Sequence, residues 1–197
     1  MKKIILSTVV ISSLAFAGGD IVPVVPAVMV DEVSPFYVGL GLSAVSTRNS
    51  DVSLSFTSIK EGQDRTGDIL VMAGYEFNPY IAVEGRYMTS VYDEDKLTRD
   101  SWGIYAKPQY PATEEFTLYA LLGYGGLNAD GKGLSLTDVS DTGFQWGLGA
   151  SYAVTEDVAI FVDYVSIATD MDSDIFYSSP FADVDSDAIT LGVTYNF

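Results

Sequence analysis

The chain has 197 residues, is 48% hydrophobic, and carries 27 Asp and Glu against ten Lys and Arg. It contains no Cys and no His, which excludes disulfides, thiol chemistry, Ser-His-Asp triads and His-based metal centres. A net charge of −17 argues against nucleic acid, which wants a basic footprint.

The chain opens Met1-Lys2-Lys3 and runs apolar from Ile4 to Phe16. Ala15 and Ala17 frame an A-x-A site before Gly18. A basic start, a short apolar core and small residues at the end read as a secretory signal peptide over residues 1–17, cut between Ala17 and Gly18. The run is too short for a comfortable membrane helix. Cleavage would leave eight bases against 27 acids, a net charge of −19.

Residues 18–35 read as a periplasmic tether. Pro23 and Pro26 stand among valines, and Pro35 closes the stretch. Proline in such company favours extended or polyproline backbone. The alternative is a short contact arm whose valines pair as a strand.

From Phe36 onward the chain divides into segments of alternating polarity. The expected strands are Phe36 to Arg48, Thr66 to Phe77, Tyr80 to Val91, Arg99 to Tyr110, Phe116 to Leu127, Thr142 to Val154, Asp157 to Ala168 and Ser186 to Phe197. Strand side chains alternate faces. The second segment would turn Ile69, Val71, Ala73, Tyr75 and Phe77 one way and Leu70, Met72, Gly74 and Glu76 the other. In the sixth, Phe144, Trp146, Leu148 and Tyr152 oppose Gln145, Gly147, Gly149 and Ser151. Many strand glycines share the second face: Gly39, Gly41, Gly74, Gly103, Gly123, Gly147, Gly149 and Gly192. Bulky residues on every strand would overfill a narrow barrel, so glycine on that face points to an interior.

The connections alternate short and long. Asn78-Pro79, residues 111–115 and Thr155-Glu156 are short, while residues 49–65, 128–141 and 169–185 are long. Apolar aromatics gather at both ends of the segments: Phe77, Tyr110, Phe116, Tyr152, Tyr195 and Phe197 by the short turns, Trp102, Tyr124, Phe144, Trp146 and Tyr164 nearer the loops. Loop sorting and two aromatic belts fit a barrel crossing a membrane. No later stretch holds an apolar run long enough for a membrane helix, so if the chain is in a membrane it must be there as a barrel. A soluble ligand-binding barrel would need an apolar interior, whereas this one is expected to be polar and rich in glycine.

The last segment alternates most cleanly. Phe197, Tyr195, Val193, Leu191 and Ile189 are apolar, and Asn196, Thr194, Gly192, Thr190 and Ala188 between them are small or polar. Together with Phe36-Tyr37-Val38-Gly39-Leu40-Gly41, Gly74-Tyr75-Glu76-Phe77-Asn78-Pro79-Tyr80, Tyr119-Ala120-Leu121-Leu122-Gly123 and the run Trp146 to Tyr152, this resembles the OmpA/OmpX-like eight-stranded outer-membrane barrel family over residues 36–197. The resemblance implies an all-β fold, an eight-stranded antiparallel up-and-down transmembrane β-barrel in the bacterial outer membrane. It implies that Tyr195 and Phe197 serve as a C-terminal signal for the barrel-insertion machinery. It also implies roles in envelope integrity, adhesion or slow diffusion. Nothing follows Phe197 in this sequence, so no globular peptidoglycan-binding domain is expected.

The register turns Glu76, Glu84, Arg86, Lys107 and Asp163 inward, where buried charges must pair. They are expected to form a polar network that plugs the lumen or, alternatively, gates a narrow path. A catalytic carboxylate pair is the third option, but nothing marks a substrate pocket, so no enzyme, cofactor or metal site is expected. The last loop carries Asp170, Asp172, Asp174, Asp183, Asp185 and Asp187 with Ile175, Phe176, Tyr177, Pro180 and Phe181. The carboxylate spacing suggests calcium, yet Ile175 and Phe181 break the calcium-loop pattern. A solvated acidic loop, bridged to lipopolysaccharide by divalent ions, is the alternative. The first loop alternates Val52, Leu54 and Phe56 with serines, which suggests a hairpin reaching past the membrane. The expectation is a monomer in outer-membrane lipid and lipopolysaccharide, meeting an extracellular partner through its loops; a narrow porin-like channel is the competing function.

Overall fold

A computed structural model of the chain describes residues 34–49, 51–57, 63–93, 97–131, 139–172 and 183–197. The expected signal peptide with Ala17 and Gly18, and nearly all of the tether, lie outside the described residues. The described part forms eight antiparallel strands: β1 Phe36–Asn49, β2 Gln63–Asn78, β3 Ile81–Asp93, β4 Leu97–Pro111, β5 Phe116–Gly131, β6 Val139–Ala153, β7 Val158–Asp172 and β8 Asp183–Asn196. Each pairs with its sequence neighbours, and β8 closes on β1, so no strand edge is left open.

Closure is staggered. Stepping through directly paired residues from Phe36 to Tyr75, Val83, Ala106, Leu122, Trp146, Ser166 and Asp187 returns to β1 at Ser46, ten residues further along. With ordinary strand spacings, that stagger tilts the strands by about 40° from the barrel axis. At the turn end the closing seam is fastened by Ser34 N–H to the Phe197 carbonyl at 2.9 Å and Phe197 N–H to the Phe36 carbonyl at 3.2 Å.

The two faces of the sheet follow the expected parity. Large apolar side chains stand out into the surroundings, with Leu42 69% and Ile104 60% exposed. An apolar belt of this extent would aggregate in water, and in hydrocarbon it is the solvated state. Phe77, Tyr110, Tyr152, Tyr195 and Phe197 are outward at the turn end, and Trp102, Tyr124, Phe144 and Trp146 nearer the loops. Edge-to-face ring pairs order these girdles, among them Phe36–Tyr75, Tyr195–Phe197 and Trp146–Tyr164.

Inside, glycine and aromatic residues are matched across strands. Tyr37 faces Gly74, Tyr105 faces Gly123, Tyr119 faces Gly149 and Phe161 faces Gly192. A Cβ on Gly149 would lie 2.5 Å from Tyr119 Cζ, and one on Gly192 would lie 2.5 Å from Phe161 Cε1. The glycines are therefore the floor on which the interior rings lie, a fuller role than relieving crowding.

Two expectations need correcting. The strands run past their predicted loop-end limits: β2 begins at Gln63, β5 continues to Gly131 and β7 to Asp172. Polar composition had suggested loop there, but paired backbone satisfies itself above a membrane as well as within it. The interior is also less polar than expected. Leu70, Met72, Met88, Leu121, Val165 and Ala188 are buried inward together with Tyr105. Polar interiors belong to wide, water-filled barrels, whereas a narrow one is filled by side chains of any kind that pack.

Candidate functional site

The lumen holds a buried ion cluster contributed by five strands. Glu84 and Arg86 are two apart on β3, hence on one face. Arg86 Nε donates to Glu84 Oε1 at 2.6 Å, and its Nη2 reaches across to Asp163 Oδ2 on β7 at 2.7 Å. Lys107 on β4 donates from Nζ to Glu84 Oε2 at 2.9 Å and to Tyr37 Oη at 3.3 Å. Tyr37 on β1 donates to Glu84 Oε2 at 2.5 Å, and Tyr119 on β5 to Asp163 Oδ2 at 2.9 Å. Cationic groups sit over rings as well: Lys107 Nζ lies 4.4 Å from the Tyr119 centroid and the Arg86 guanidinium carbon 5.8 Å from that of Tyr105. Two carboxylates face two cations, with Glu84 fully buried and Asp163 3% exposed.

Glu76 does not join them. It was expected in the network, but it lies exposed at the turn-end mouth and accepts a hydrogen bond from Gln109 Nε2 at 3.1 Å. Its parity is inward, yet it stands on the last turn-side residues of β2, where the lumen opens to solvent. Removing Glu76 from the set leaves the buried cluster balanced in charge, as burial requires. Glu76, Gln109, Glu114 and Glu115 rim a vestibule of about 200 Å³ whose inner wall includes Lys107 and Tyr37.

A second inward ion pair stands toward the loop end. Arg99 Nη2 donates to Asp68 Oδ2 at 2.5 Å, and Nη1 donates to Ser186 Oγ at 3.0 Å. The apolar layer of Leu70, Met72, Met88, Leu121 and Val165 separates it from the lower cluster. Sequence reasoning missed this pair, although parity carried it: Asp68 continues the inward series of Leu70 and Met72, and Arg99 that of Lys107. It also missed Tyr37 and Tyr119 as donors, because tyrosine reads first as a strand former.

A third cluster lies on the opposite face. Arg48 pairs with Asp185 at 3.2 Å and with Asp187, and Tyr164 Oη donates to Asp187 as well. By register all four point outward. Asp185 and Asp187 are thus engaged with Arg48. Residues 173–182, the rest of the suggested calcium loop, lie outside the described residues, and those described hold no group of acids arranged around a metal position. The C-terminal pair Tyr195 and Phe197 stands outward at the turn end, with the rings 5.3 Å apart.

Comparison with known proteins places this architecture. Outer membrane protein A of Klebsiella pneumoniae is 32% identical over 139 residues, a stretch covering 63% of this chain and 39% of that protein. This chain therefore matches well under half of that relative's length. Neisserial surface protein A shares the fold with TM-score 0.57 at 20% identity, over 84% of this chain and 99% of that one. Ail of Yersinia pestis does so with TM-score 0.56 at 20% identity, over 84% and 99%; its structure is also known in complex with the heparin analogue sucrose octasulfate. OprG of Pseudomonas aeruginosa gives TM-score 0.55 at 14% identity, over 84% and 97%. The barrel fold is what these solved structures have in common with it. The family model for the outer membrane protein beta-barrel domain matches residues 6–197, and the chain is a member of that family, resident in the bacterial outer membrane.

Proposed function

We propose that this barrel works as a closed scaffold: an outer-membrane protein that strengthens the envelope and meets its surroundings through the loops, with no catalytic role. The observation that carries the reading is the filled lumen. Side chains from opposite strands meet at its centre through Arg86, which bridges β3 to β7. Above them the apolar layer is 5% exposed or less, and dry packed side chains are a barrier to ions. A loop partner of neutral or cationic chemistry suits the acidic chain better than a sulfated one of the kind bound by Ail.

The second reading is a narrow polar path. Asp163 Oδ1, Asp68 Oδ1, Arg99 Nε, Ser101 Oγ and Gln145 Nε2 are buried with no hydrogen-bond partner among the described residues. Such atoms are normally served by internal water. The vestibule also brings solvent up to Lys107. Planar-bilayer conductance of the refolded protein separates the two readings. The closed scaffold predicts a silent bilayer for folded protein, and for a Glu84→Gln/Arg86→Gln variant that retains the apolar layer. Reproducible small steps that change in that variant would favour the path.

A further inference from the structure

The outward ion cluster is covered, and its cover is the first loop. Ser46 and Asp187 belong to the outward series of β1 and β8, below which Leu42, Ala44, Ile189 and Leu191 face lipid. Nevertheless Ser46 is fully buried and Asp187 is 2% exposed. Residues 51–57 lie against the wall at this level, held by three outward side chains. Arg48 Nε donates to the Val52 carbonyl at 3.0 Å, Gln63 Nε2 to the Ser55 carbonyl, and Arg65 Nη1 to the Phe56 carbonyl at 3.3 Å. Gln63 also ties to Ser46 Oγ at 2.6 Å, so the wall and the cover share one network. The segment is thus folded down on the outside of the barrel, not raised as the extended hairpin its alternation suggested.

We infer that residues 51–57 form a foot resting on the outer leaflet, with Leu54 and Phe56 at the boundary between acyl chains and headgroups. Three things support a lipid surface as the partner. The foot is continuous with the lipid-facing wall, directly above the apolar series of β1 and β8. It bears Val52, Leu54 and Phe56, with Leu54 36% exposed. Three of its carbonyls, those of Val52, Ser55 and Phe56, are turned inward onto Arg48, Gln63 and Arg65, so these groups are satisfied where lipid would penalise them. The foot also keeps the Arg48–Asp187 pair out of contact with lipid, where an open charge is costly.

The absence of Cys makes a clean test possible. Single variants Leu54→Cys, Leu42→Cys and Thr113→Cys, each carrying a nitroxide, are refolded into vesicles with and without lipopolysaccharide, with folding checked by heat-modified gel mobility. Collisions with oxygen and with a water-soluble nickel chelate are then compared by electron paramagnetic resonance. Leu42 reports hydrocarbon and Thr113 reports water at the turn end. The foot predicts an oxygen-to-nickel ratio at position 54 several-fold above that at 113 and below that at 42. A ratio at 54 equal to that at 113 would overturn the inference, since the loop would then stand in water. Low collision rates with both reagents would overturn it too, since the residue would then be packed against protein.

Discussion

Both faces of one sheet carry a buried ion cluster, and they are sealed in different ways. On the inner face Glu84, Arg86, Lys107 and Asp163 are enclosed by the barrel wall itself, with Lys107 alone reached by the turn-end vestibule. On the outer face Arg48, Asp185 and Asp187 lie under residues 51–57, a segment that is not part of the strand ladder. Burial by closure makes a charge depend on its partners absolutely. Burial by a flap leaves it a second solvent. The two clusters look alike in a census of ion pairs and should differ in how much each costs to break.

The sharpest way to test this contrast is Arg86→Ala. It takes from Asp163 its one cation, leaving only the Tyr119 hydroxyl, while Glu84 keeps Lys107 and Tyr37; breaking a buried pair by removing one partner costs about 3–5 kcal/mol. Equilibrium urea unfolding in lipid vesicles should show that loss as a lower midpoint. A loss under about 1 kcal/mol would mean that water already reaches the lower cluster, and the sealed-lumen argument would fail with it.

Glycine probes the same two faces without charge. Gly149→Val drives a branched side chain into Tyr119 and the Asp163 Cβ, the latter 2.6 Å from where the new Cβ would stand. Overpacking of this kind costs about 1–3 kcal/mol and would displace the hydroxyl that serves Asp163. The measurement is again the unfolding midpoint, with near-ultraviolet dichroism reporting the tyrosine. An unchanged midpoint would show that the interior can shift to make room, contrary to a lumen packed solid.

How much of this was legible follows from parity. Alternation along β2, β6 and β8 was enough to assign faces, and the lower cluster followed from faces plus the rule that buried charges pair. What parity does not carry is height. Glu76 and Glu84 share the inward face, but one is at the open mouth and the other at the sealed centre. Distance along a tilted strand decides this, and the tilt depends on the stagger between strands, which no single segment reveals. The outer cluster was illegible for a related reason. Asp187 falls inside the expected last strand but also reads with the loop acids, Asp185 lies outside that strand, and only the register of β8 on β1 puts Arg48 beside both at the same outward parity. The foot was harder still, because its alternating Val52, Leu54 and Phe56 look like strand, and only hydrogen bonds from Arg48 and Gln63 turn the chain down onto the wall.

Arg48→Gln is the matching test on the outer face, and its expected effect is smaller. Asp187 loses its ion pair but keeps the Tyr164 hydroxyl, and the flap can admit water to whatever is left unpaired. A cost of about 1–2 kcal/mol is expected, in the range for a hydrogen bond to a charged group and below that for a sealed pair. The loss should come with faster protease cleavage within residues 51–57, because Arg48 also holds the Val52 carbonyl. Equal losses for Arg48→Gln and Arg86→Ala would erase the distinction between the two seals. A small loss of stability together with a freed loop would show that the outer cluster's main effect is to hold the flap against the wall. The outward Gly85 sets the bottom of the scale: the nearest atom to an added Cβ there is the Ala73 carbonyl oxygen at 3.9 Å, so Gly85→Ala should move the midpoint by less than about 0.5 kcal/mol. Spread between that value and the Gly149→Val loss measures how differently one sheet is packed on its two sides.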